Sequence, residues 1–574
     1  MRYLRLRGSL RTLAWTGLLL WLCTVAASAA QHKELARRVD AILARADVAR
    51  GFWGVEIEEL DTGEVVYSRD ADRLFSPASN TKLFTTAAAL ALIGPNYRFR
   101  TTVESATPPD PYGRLSGDLV LVGRGDPNLS GRTLPYNLKT ERPLSPTHVL
   151  EELADQVVAR GVKVIDGDIV ADDSFFVYER YGQGWSQEDL VWEYGAPVSA
   201  LAVNDNVVYI NISPAPRAGE RALVALSHFA GEYQIENRIL TSPAGSGPRK
   251  ISLQRQPGSN RVQIWGSIPL DDPGTSEALA IEEPAEWSAR LFSELLAERG
   301  VALHGRTRAR HLDMAELGTI PVKTNPLPSG GEPTGGGAVN GSSAGSVPVA
   351  GGLVDGVPQN GGLGDHGLGN HGLGNHGLGD NGQALQLRPQ PVVLAAHDSP
   401  PLGLDIRVIN KVSQNLHAEM LLRLLGREQG ASGSVAAGLE VLRGFLTQAG
   451  LLPEEFVFYD GSGLSRLNLV SPRATVKLLR YAASQPWGAE FIDSLPLAGV
   501  DGTLAARFKS LPAGALLHAK TGSLDHINVL SGYLTTAAGQ RLVFSIMGNH
   551  HTLAGRQAAD VLDEIVSEAE RTRN

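Results

Sequence analysis

Residues 76–82 read Ser-Pro-Ala-Ser-Asn-Thr-Lys, and an apolar run over residues 83–92 follows them directly. Together they predict a helix. Ser76 is suited to cap this helix with its hydroxyl, and Pro77 to occupy the first helical position, where its missing N–H costs nothing. The run is apolar on most sides, which is typical of a core helix, and Gly94-Pro95 should end it. We expect the rest of the fold to be organised around this helix.

Ser79 and Lys82 are three positions apart, so they face the same side of the predicted helix. The positive end of the helix favours a developing alkoxide on Ser79. Burial would lower the pKa of Lys82 and leave a neutral amine that can act as a base. The two residues are therefore a candidate nucleophile–base pair. Alone the pair is a weak signal, because a helix cap followed by a surface lysine has the same sequence.

Length and composition narrow the class of protein. The chain has 574 residues, of which 43% are hydrophobic and 20% are charged, as in a soluble globular protein of two to four domains. Residues 1–30 carry four arginines, an apolar core from Leu13 to Val25 and small residues at the end, which predicts a secretory signal. Its removal would take the net charge from −9 to −13, which argues against nucleic acid and anionic membrane surfaces as partners.

Cys23 is the only cysteine, and it lies inside the predicted signal. The mature protein would then have no disulfide, no cysteine-bound metal and no thiol nucleophile. Leu22 stands where a lipoprotein needs a small residue, which argues against lipidation. No later stretch is long and apolar enough to span a bilayer, so we predict no integral membrane anchor.

Hydrophobic periodicity divides the chain further. Two strands, over 53–60 and 64–68, should precede the core helix. Short alternating strands between about 98 and 322 predict β-rich inserted material in two modules, with boundaries near 197–206 and 283–285. Compact structure should return after residue 389, with helices over 405–426 and 435–450, strands over 514–524, 528–535 and 541–548, and a last helix over 558–571.

Residues 323–387 are of low complexity and contain a five-residue repeat such as Gly367-Leu-Gly-Asn-His371. So much glycine raises the entropic cost of order and leaves little to bury, which predicts a disordered surface loop. A metal tether through His366, His371 and His376 is the alternative.

Two further motifs lie in the second half. Ser413-Gln-Asn415 falls on the predicted helix over 405–426, and Lys520-Thr-Gly-Ser523 falls on the predicted strand over 514–524. A glycine inside a strand, here Gly522, indicates close approach of another backbone or a ligand. The alternatives are a polar helix patch and an edge-strand charge.

The order Ser-x-x-Lys, Ser-x-Asn, Lys-Thr-Gly is the motif set of penicillin-binding proteins and class A β-lactamases. Acyl transfer needs a nucleophile and a base, a proton relay to the leaving nitrogen, for which Ser413 is the candidate, and a donor that holds the substrate amide, for which Asn415 is the candidate. Lys520 and Thr521 would bind a substrate carboxylate. The main-chain N–H groups of Ser79 and Ser523 are candidates for the oxyanion hole.

The sequence resembles the low-molecular-mass class C penicillin-binding proteins, which are D-Ala-D-Ala carboxypeptidases that also act as endopeptidases. The resemblance covers almost the whole mature chain, and the 334 positions between Ser79 and Ser413 match the large insertions of that family, where β-lactamases have a far shorter gap. It also includes four other stretches: Gly125-Asp-Pro-Asn-Leu129, Tyr194-Gly-Ala-Pro-Val-Ser-Ala-Leu201 with Asn204-Asp205-Asn206, Asp460-Gly-Ser-Gly-Leu-Ser-Arg466, and Leu497-Ala-Gly-Val-Asp-Gly-Thr-Leu504.

The resemblance implies an α/β (α+β) fold: a penicillin-binding, serine-β-lactamase-type domain with an antiparallel sheet flanked by helices, interrupted by two nested β-rich domains. We assign the catalytic domain to residues 31–97 and 388–574. The first inserted domain takes 98–197 and 286–322, and the second takes 198–285. Residues 323–387 are an insertion outside the family pattern.

The resemblance also implies a function. It predicts a periplasmic serine hydrolase that acts on peptidoglycan stem peptides ending in D-Ala-D-Ala, binds β-lactam antibiotics, and needs no cofactor or metal. In the family an aspartate of the first inserted domain reads a free amine on the peptide. Asp172 is the best match, with Asp173 beside it, although a turn carboxylate has the same sequence. The alternatives are a β-lactamase or esterase on the same domain, and a cell-wall-binding protein with a dead site.

Overall fold

The computed structural model describes residues 30–136, 143–227, 233–319 and 390–571. The predicted signal segment and the repeat over 323–387 lie outside these ranges, apart from Ala30, which is the first described residue of the first helix. In the described residues the α-helices are α1 (30–43), α2 (Thr81–Leu92), α3 (His148–Ala159), α4 (Pro284–Glu298), α5 (Leu402–Lys411), α6 (Asn415–Gln429), α7 (Val435–Gln448), α8 (Pro472–Ala483), α9 (Gly488–Ser494) and α10 (Gly555–Glu570).

Short 3₁₀ turns occupy Ala78–Asn80, Gln187–Val191, Glu193–Gly195, Asn204–Asn206, Met314–Thr319, Pro453–Glu455 and Gly502–Leu504. The strands are β1 (Phe52–Glu59), β2 (Val65–Arg69), β3 (Arg100–Ser105), β4 (Arg114–Leu115), β5 (Leu119–Val122), β6 (Asp126–Leu129), β7 (Val164–Ile165), β8 (Ile169–Val177), β9 (Leu201–Val203), β10 (Val207–Ser213), β11 (Leu223–Leu226), β12 (Gln234–Ser242), β13 (Lys250–Arg255), β14 (Arg261–Pro269), β15 (Thr275–Ala280), β16 (Ala302–Leu303), β17 (Thr307–Leu312), β18 (Val392–Asp398), β19 (Phe456–Val457), β20 (Leu469–Val470), β21 (Leu516–Leu524), β22 (Ile527–Thr535) and β23 (Arg541–Asn549).

The sheet that carries the Lys-Thr-Gly motif has the order β2-β1-β23-β22-β21 and is antiparallel throughout. Its side chains alternate between two hydrophobic clusters, as the two-residue period of a strand requires. On β22, Val529 and Tyr533 join the cluster of α2, α6 and α8, whereas Leu530 and Leu534 join that of α1 and α10. Helices thus cover both faces of the sheet, which confirms the predicted fold class.

The predicted long helix over 405–426 is wrong, because the chain breaks between α5 and α6. Residues 412–414 are not helical, and Ser413 has a φ of 65°. A left-handed residue cannot continue a right-handed helix. The break turns the chain sharply, and Gln414 then caps α6 by accepting a hydrogen bond from the Leu416 N–H on its side chain.

The inserted residues form a five-stranded sheet of order β17-β8-β5-β3-β18, on which α3 and α4 pack. β18 belongs to this sheet because it pairs antiparallel with β3, although the predicted boundary at 388 assigns it to the catalytic domain. Two three-stranded sheets, β11-β10-β15 and β12-β14-β13, follow within residues 207–280. One hydrophobic cluster includes both Leu121 and Ile264, so the two predicted modules share a core. Their other boundaries stay a prediction.

Candidate active site

Ser79 lies in a 3₁₀ turn that precedes the core helix. The turn covers Ala78–Asn80, and α2 itself begins at Thr81. The predicted cap at Ser76 is wrong: its N–H donates to Asn549 Oδ1 at 2.8 Å, while its hydroxyl makes no hydrogen bond to a described residue. Ala78 has a φ of 45°, which excludes it from a regular helix. The turn leaves Ser79 half-buried at the start of the helix.

Lys82 is 0% exposed, and its ammonium nitrogen contacts three oxygens. Nζ lies 3.0 Å from Ser79 Oγ, 2.6 Å from Asn415 Oδ1 and 2.7 Å from the carbonyl oxygen of Ser462. Burial lowers the pKa of Lys82 to about 7, although the charges of Asp460 and Glu419 act to raise it. An amine with this pKa can accept a proton from Ser79 at neutral pH.

Asn415 lies between Lys82 and the segment of the chain that contains Tyr194, and it forms a hydrogen bond to each. Its Oδ1 accepts from Lys82, and its Nδ2 donates to the carbonyl oxygen of Tyr194 at 2.8 Å. An amide nitrogen has two hydrogens, so Nδ2 keeps one that a substrate could use. Asn415 therefore has a function in orienting Lys82, in addition to the predicted contact with substrate.

Ser413 and Lys520 form a second lysine–serine pair. Lys520 Nζ lies 2.8 Å from Ser413 Oγ and 2.7 Å from the carbonyl oxygen of Thr521. Lys520 is also 0% exposed. Burial holds its pKa well below the ordinary value, and the positive charge of Lys82 lowers the pKa further. The structure thus brings all three sequence motifs to one place, with a lysine on each side.

Gly522 allows β21 to lie directly against the Ser79 turn. A Cβ atom at this position would be 2.8 Å from Pro77 O and 3.0 Å from Ser79 N, both closer than side chains normally approach. The missing side chain therefore brings the Lys-Thr-Gly strand against the main chain of the nucleophile, as predicted. Thr521 beside it donates its hydroxyl to that of Thr503 at 2.8 Å.

The sequence matches the family described as "D-Ala-D-Ala carboxypeptidase 3 (S13) family" over residues 35–316 and 379–569. It is 33% identical over 537 residues to the D-alanyl-D-alanine carboxypeptidase of Actinomadura sp. (strain R39), in an alignment that covers 92% of this chain and 83% of that one. The chain belongs to the S13 family. It is therefore a serine-type hydrolase of the carboxypeptidase class, which confirms the resemblance drawn from the motifs.

More distant relatives agree on the fold. The chain is 23% identical to the D-alanyl-D-alanine carboxypeptidase DacB of Haemophilus influenzae, over 86% of this chain and 84% of that one. The crystal structure of penicillin binding protein 4 (dacB) from Haemophilus influenzae superimposes with a TM-score of 0.69 at 21% identity. That superposition covers 93% of this chain and 99% of the other. At this identity the likeness shows a shared fold and no more.

Asp172 does not lie in the network that joins the three S13 motifs. Its carboxylate pairs with Arg310 at 2.9 Å and accepts from the hydroxyl of Ser174 at 2.6 Å. The neighbouring Asp173 contacts His311 and Ser199. The amine-reading function of Asp172 stays a prediction.

Sequence reasoning missed the roles of two buried carboxylates near Lys82, those of Glu419 and Asp460. Glu419 Oε1 accepts from the main-chain N–H groups of Gly461 at 2.9 Å and Ser462 at 2.8 Å, and Asp460 accepts from the Gly463 N–H at 2.8 Å. They hold the loop whose Ser462 carbonyl binds Lys82. Asp460 lies in the stretch 460–466, which the sequence singled out only through its resemblance to the family. Glu419 lies inside α6, and nothing in the sequence around it indicates a contact with the active site.

Two features bear on membranes and metals in the described residues: helices able to cross a membrane and clusters of metal-ligating side chains. None of its described helices has the length and hydropathy needed to cross a bilayer. The described residues also contain no group of three or more metal-ligating side chains. The residues of the predicted loop and of its alternative, the histidine tether, lie outside the described ranges.

Proposed function

We propose that this S13 enzyme hydrolyses the D-alanyl-D-alanine ends of peptidoglycan peptides, as a carboxypeptidase and as an endopeptidase, through an acyl-enzyme on Ser79. The observation that carries the proposal is the contact of 3.0 Å between Ser79 Oγ and Lys82 Nζ, since burial lowers the pKa of this amine to about 7. A base whose pKa lies near the working pH is the most effective general base.

In the acylation step, Ser79 Oγ forms a bond to the carbonyl carbon of the penultimate D-alanine, and its proton passes to Lys82 Nζ. The oxyanion that develops is stabilised by the main-chain N–H groups of Ser79 and Ser523. The contact of Gly522 with the Ser79 turn supports this assignment, because it brings the two N–H groups onto adjoining segments.

In the collapse of the tetrahedral intermediate, the C–N bond breaks and the leaving amine needs a proton. Ser413 supplies it and receives in exchange the proton that Lys82 took from Ser79, so Lys82 is neutral again; Lys520, whose Nζ lies 2.8 Å from Ser413 Oγ, orients that hydroxyl. Lys520 and Thr521 bind the terminal carboxylate of the substrate. A carboxylate beside Lys520 favours the charged ammonium and so counteracts the effect of burial on its pKa.

Water completes the cycle by attacking the ester carbon: neutral Lys82 takes a proton from the water, the bond from the acyl carbon to Ser79 Oγ breaks, and Lys82 returns the proton to Ser79 Oγ. Departure of D-alanine opens the space for this water. The amine of an opened β-lactam stays tethered to the acyl group and keeps that space blocked, so β-lactams should acylate Ser79 and remain there. We further propose that the enzyme works in the periplasm, on the basis of the predicted signal in residues 1–30.

The first experiment uses a D-Ala-D-Ala peptide with free D-alanine as the readout, and a cross-linked peptide dimer with released monomer as the readout. Both products should form with the wild type and be lost in Ser79→Ala. Lack of D-alanine from an enzyme that still takes up labelled penicillin would contradict the proposed substrate. Covalent penicillin on Ser79→Ala would contradict the proposed nucleophile.

The second experiment separates this function from that of a β-lactamase. Mass spectrometry of the intact protein, sampled over time after penicillin is removed, should show a long-lived adduct on Ser79. Free enzyme that returns within seconds would assign the protein to the β-lactamases instead.

A further inference from the structure

The segment that carries Ser413 and Asn415 is tied to the inserted part of the chain through the residue between them. Gln414 donates from Nε2 to Asp205 Oδ2 at 2.8 Å, and its Oε1 accepts from Leu416 N at 2.9 Å. One side chain thus joins the break between α5 and α6 to the 3₁₀ turn Asn204–Asn206. Neither bond is used in the proposed reaction.

Asp205 is itself held by a buried cluster. Arg132 donates to both of its carboxylate oxygens, at 3.1 and 2.8 Å, and His417 Nε2 lies 3.2 Å from Oδ1. His417 Nδ1 contacts Asp405 Oδ1 at 2.8 Å, and Asn128 donates to the same oxygen at 2.9 Å. All five residues are less than 9% exposed.

The charges of this cluster balance. Burial acts to lower the pKa of His417, but the carboxylates of Asp405 and Asp205 together raise it above the ordinary value. The positive charges of Arg132 and His417 then balance the negative charges of Asp205 and Asp405. Asp126, which lies near the cluster, has its pKa raised to about 7 by burial, so at neutral pH it is only about half ionised. A buried group of charges that is paired in this way resists rearrangement, since breaking any pair leaves an uncompensated charge.

The cluster lies next to two backbone segments in the left-handed conformation. Ser413 has a φ of 65°, and three consecutive residues, Asn204, Asp205 and Asn206, have φ values of 49°, 55° and 56°. Non-glycine residues rarely adopt this region and keep it only when the surroundings fix them. The Gln414–Asp205 bond connects the two left-handed segments, so each restrains the other.

We propose that Asp205, held by Arg132 and His417, is a positioning residue that acts through Gln414 to hold Ser413 at Lys520. The inserted part of the chain would then contribute to proton transfer without touching the substrate. This inference rests on the proposed function of Ser413 as the proton relay.

The test is a double-mutant cycle with Asp205→Asn and Gln414→Met, in the full-length protein. Asp205→Asn replaces one carboxylate oxygen by an NH₂ group, which cannot accept a hydrogen bond. One set of the donors from Arg132 and Gln414 then loses its acceptor. Gln414→Met keeps the length of the side chain and removes both of its hydrogen bonds. Each change should lower kcat for the D-Ala-D-Ala peptide by about 100-fold, because a small displacement of a catalytic group has an effect of this size. KM should change by less than about threefold, since carboxylate binding is untouched.

Coupling between the two changes distinguishes positioning from a general effect on folding. If Asp205 acts through Gln414, the double variant should lose little more activity than either single variant. If the loss of kcat in the double variant equals the product of the two single losses, the proposal is overturned. An unchanged kcat in Asp205→Asn would also overturn it. Glu56→Gln is the matched control, because Glu56 is a buried carboxylate paired with Arg473 at 2.6 Å, away from this cluster. It should leave kcat unchanged.

Two further measurements keep the result interpretable. Gln414 is half-buried, so Gln414→Met should fold even if Asp205→Asn does not, and an unchanged kcat in that variant alone would reject the proposal. The rate of acylation by labelled penicillin is measured beside peptide hydrolysis. Wild type that takes up penicillin and leaves the peptide intact would contradict the proposed substrate, whereas slow penicillin acylation in the variants alone would support the positioning function.

Discussion

Lys82 and Lys520 each hold a serine hydroxyl at hydrogen-bond distance, 3.0 and 2.8 Å, yet the two pairs are assembled differently. Lys82 is three positions from Ser79, so a turn and the start of one helix suffice to bring them together. Lys520 and Ser413 are 107 positions apart and meet only because β21 passes the break between α5 and α6. One pair is local, and the other is a product of the tertiary fold.

The electrostatic surroundings differ as well. The charges of Asp460 and Glu419 act to raise the pKa of Lys82 and bring it back to about 7 after burial. The charge that acts on Lys520 is that of Lys82, which lowers its pKa further. Lys82 is thus suited to exchange a proton near neutral pH. No carboxylate among the described residues is a cause that raises the pKa of Lys520, and we expect the substrate carboxylate to have this effect.

The largest effect should follow Lys82→Arg. Arginine keeps the positive charge but does not give up its proton in proteins, so the base is lost. Acylation of Ser79 by labelled penicillin should slow by at least about 1,000-fold, within the range expected for a lost general base. Lys477→Arg is the matched control, since Lys477 pairs with Glu455 at 2.6 Å on α8. Equal acylation rates for wild type and Lys82→Arg would contradict the assignment of the base.

Gly522→Ala should have the next largest effect, because it disturbs the contact between β21 and the nucleophile. The added Cβ would meet Val529 Cγ2 at 2.5 Å and Pro77 O at 2.8 Å, so the strand and the turn must separate. Acylation should slow by about 100-fold, as for a displacement of about 1 Å. Stopped-flow labelling with a fluorescent penicillin measures the rate.

Gly444→Ala provides the control for this experiment. Gly444 is exposed on α7, and no atom would lie within 4 Å of its Cβ. Alanine in the interior of a helix is favoured over glycine, so the melting temperature should rise slightly and acylation should stay unchanged. A wild-type rate in Gly522→Ala would show that the two segments can separate without consequence for the oxyanion hole.

The pH dependence of acylation should report on Lys82. Its neutral form is the base, so the rate should fall by about tenfold for each unit of pH below about 7. The sign follows from the lowered pKa, because the protonated amine cannot accept the proton of Ser79. Rates measured between pH 5 and 9 with labelled penicillin test this. A flat profile would contradict a base with this pKa.

The local pair was predictable from the sequence, and the reason is its spacing. Ser79 and Lys82 must meet if the chain is helical or nearly so between them. The exact type of turn was not predictable, since the bond from Ser76 N–H to Asn549 joins residues that are 473 positions apart. The strand of Lys520 was predicted almost to the residue, because alternation along β21 and β22 is a local property.

The break at Ser413 could not be found from periodicity. The residues of α5 and α6 both have helical patterns, so a continuous helix fits the sequence over 405–426. The conformation of Ser413 depends on Gln414, Asp205 and Arg132, which lie on segments that only the fold brings together. In the same way β18 has the pattern of any strand, and its pairing with β3 decides the sheet to which it belongs.

The smallest effect should follow Lys520→Arg. Arginine stays charged and can donate both to Ser413 and to a carboxylate, so the function assigned to Lys520 survives in part. We expect KM for the D-Ala-D-Ala peptide to rise by about tenfold, which is about 1.4 kcal/mol of binding, while kcat changes less. Because the pKa of Lys520 is lowered, the wild type should also lose activity at alkaline pH, and the arginine variant should not. Lys520→Met supplies the control without charge and should lose more than Lys520→Arg at every pH. If Lys520→Arg were instead as inactive as Lys82→Arg, the two lysines would share one function, and Lys520 could not be assigned as the cation of the site.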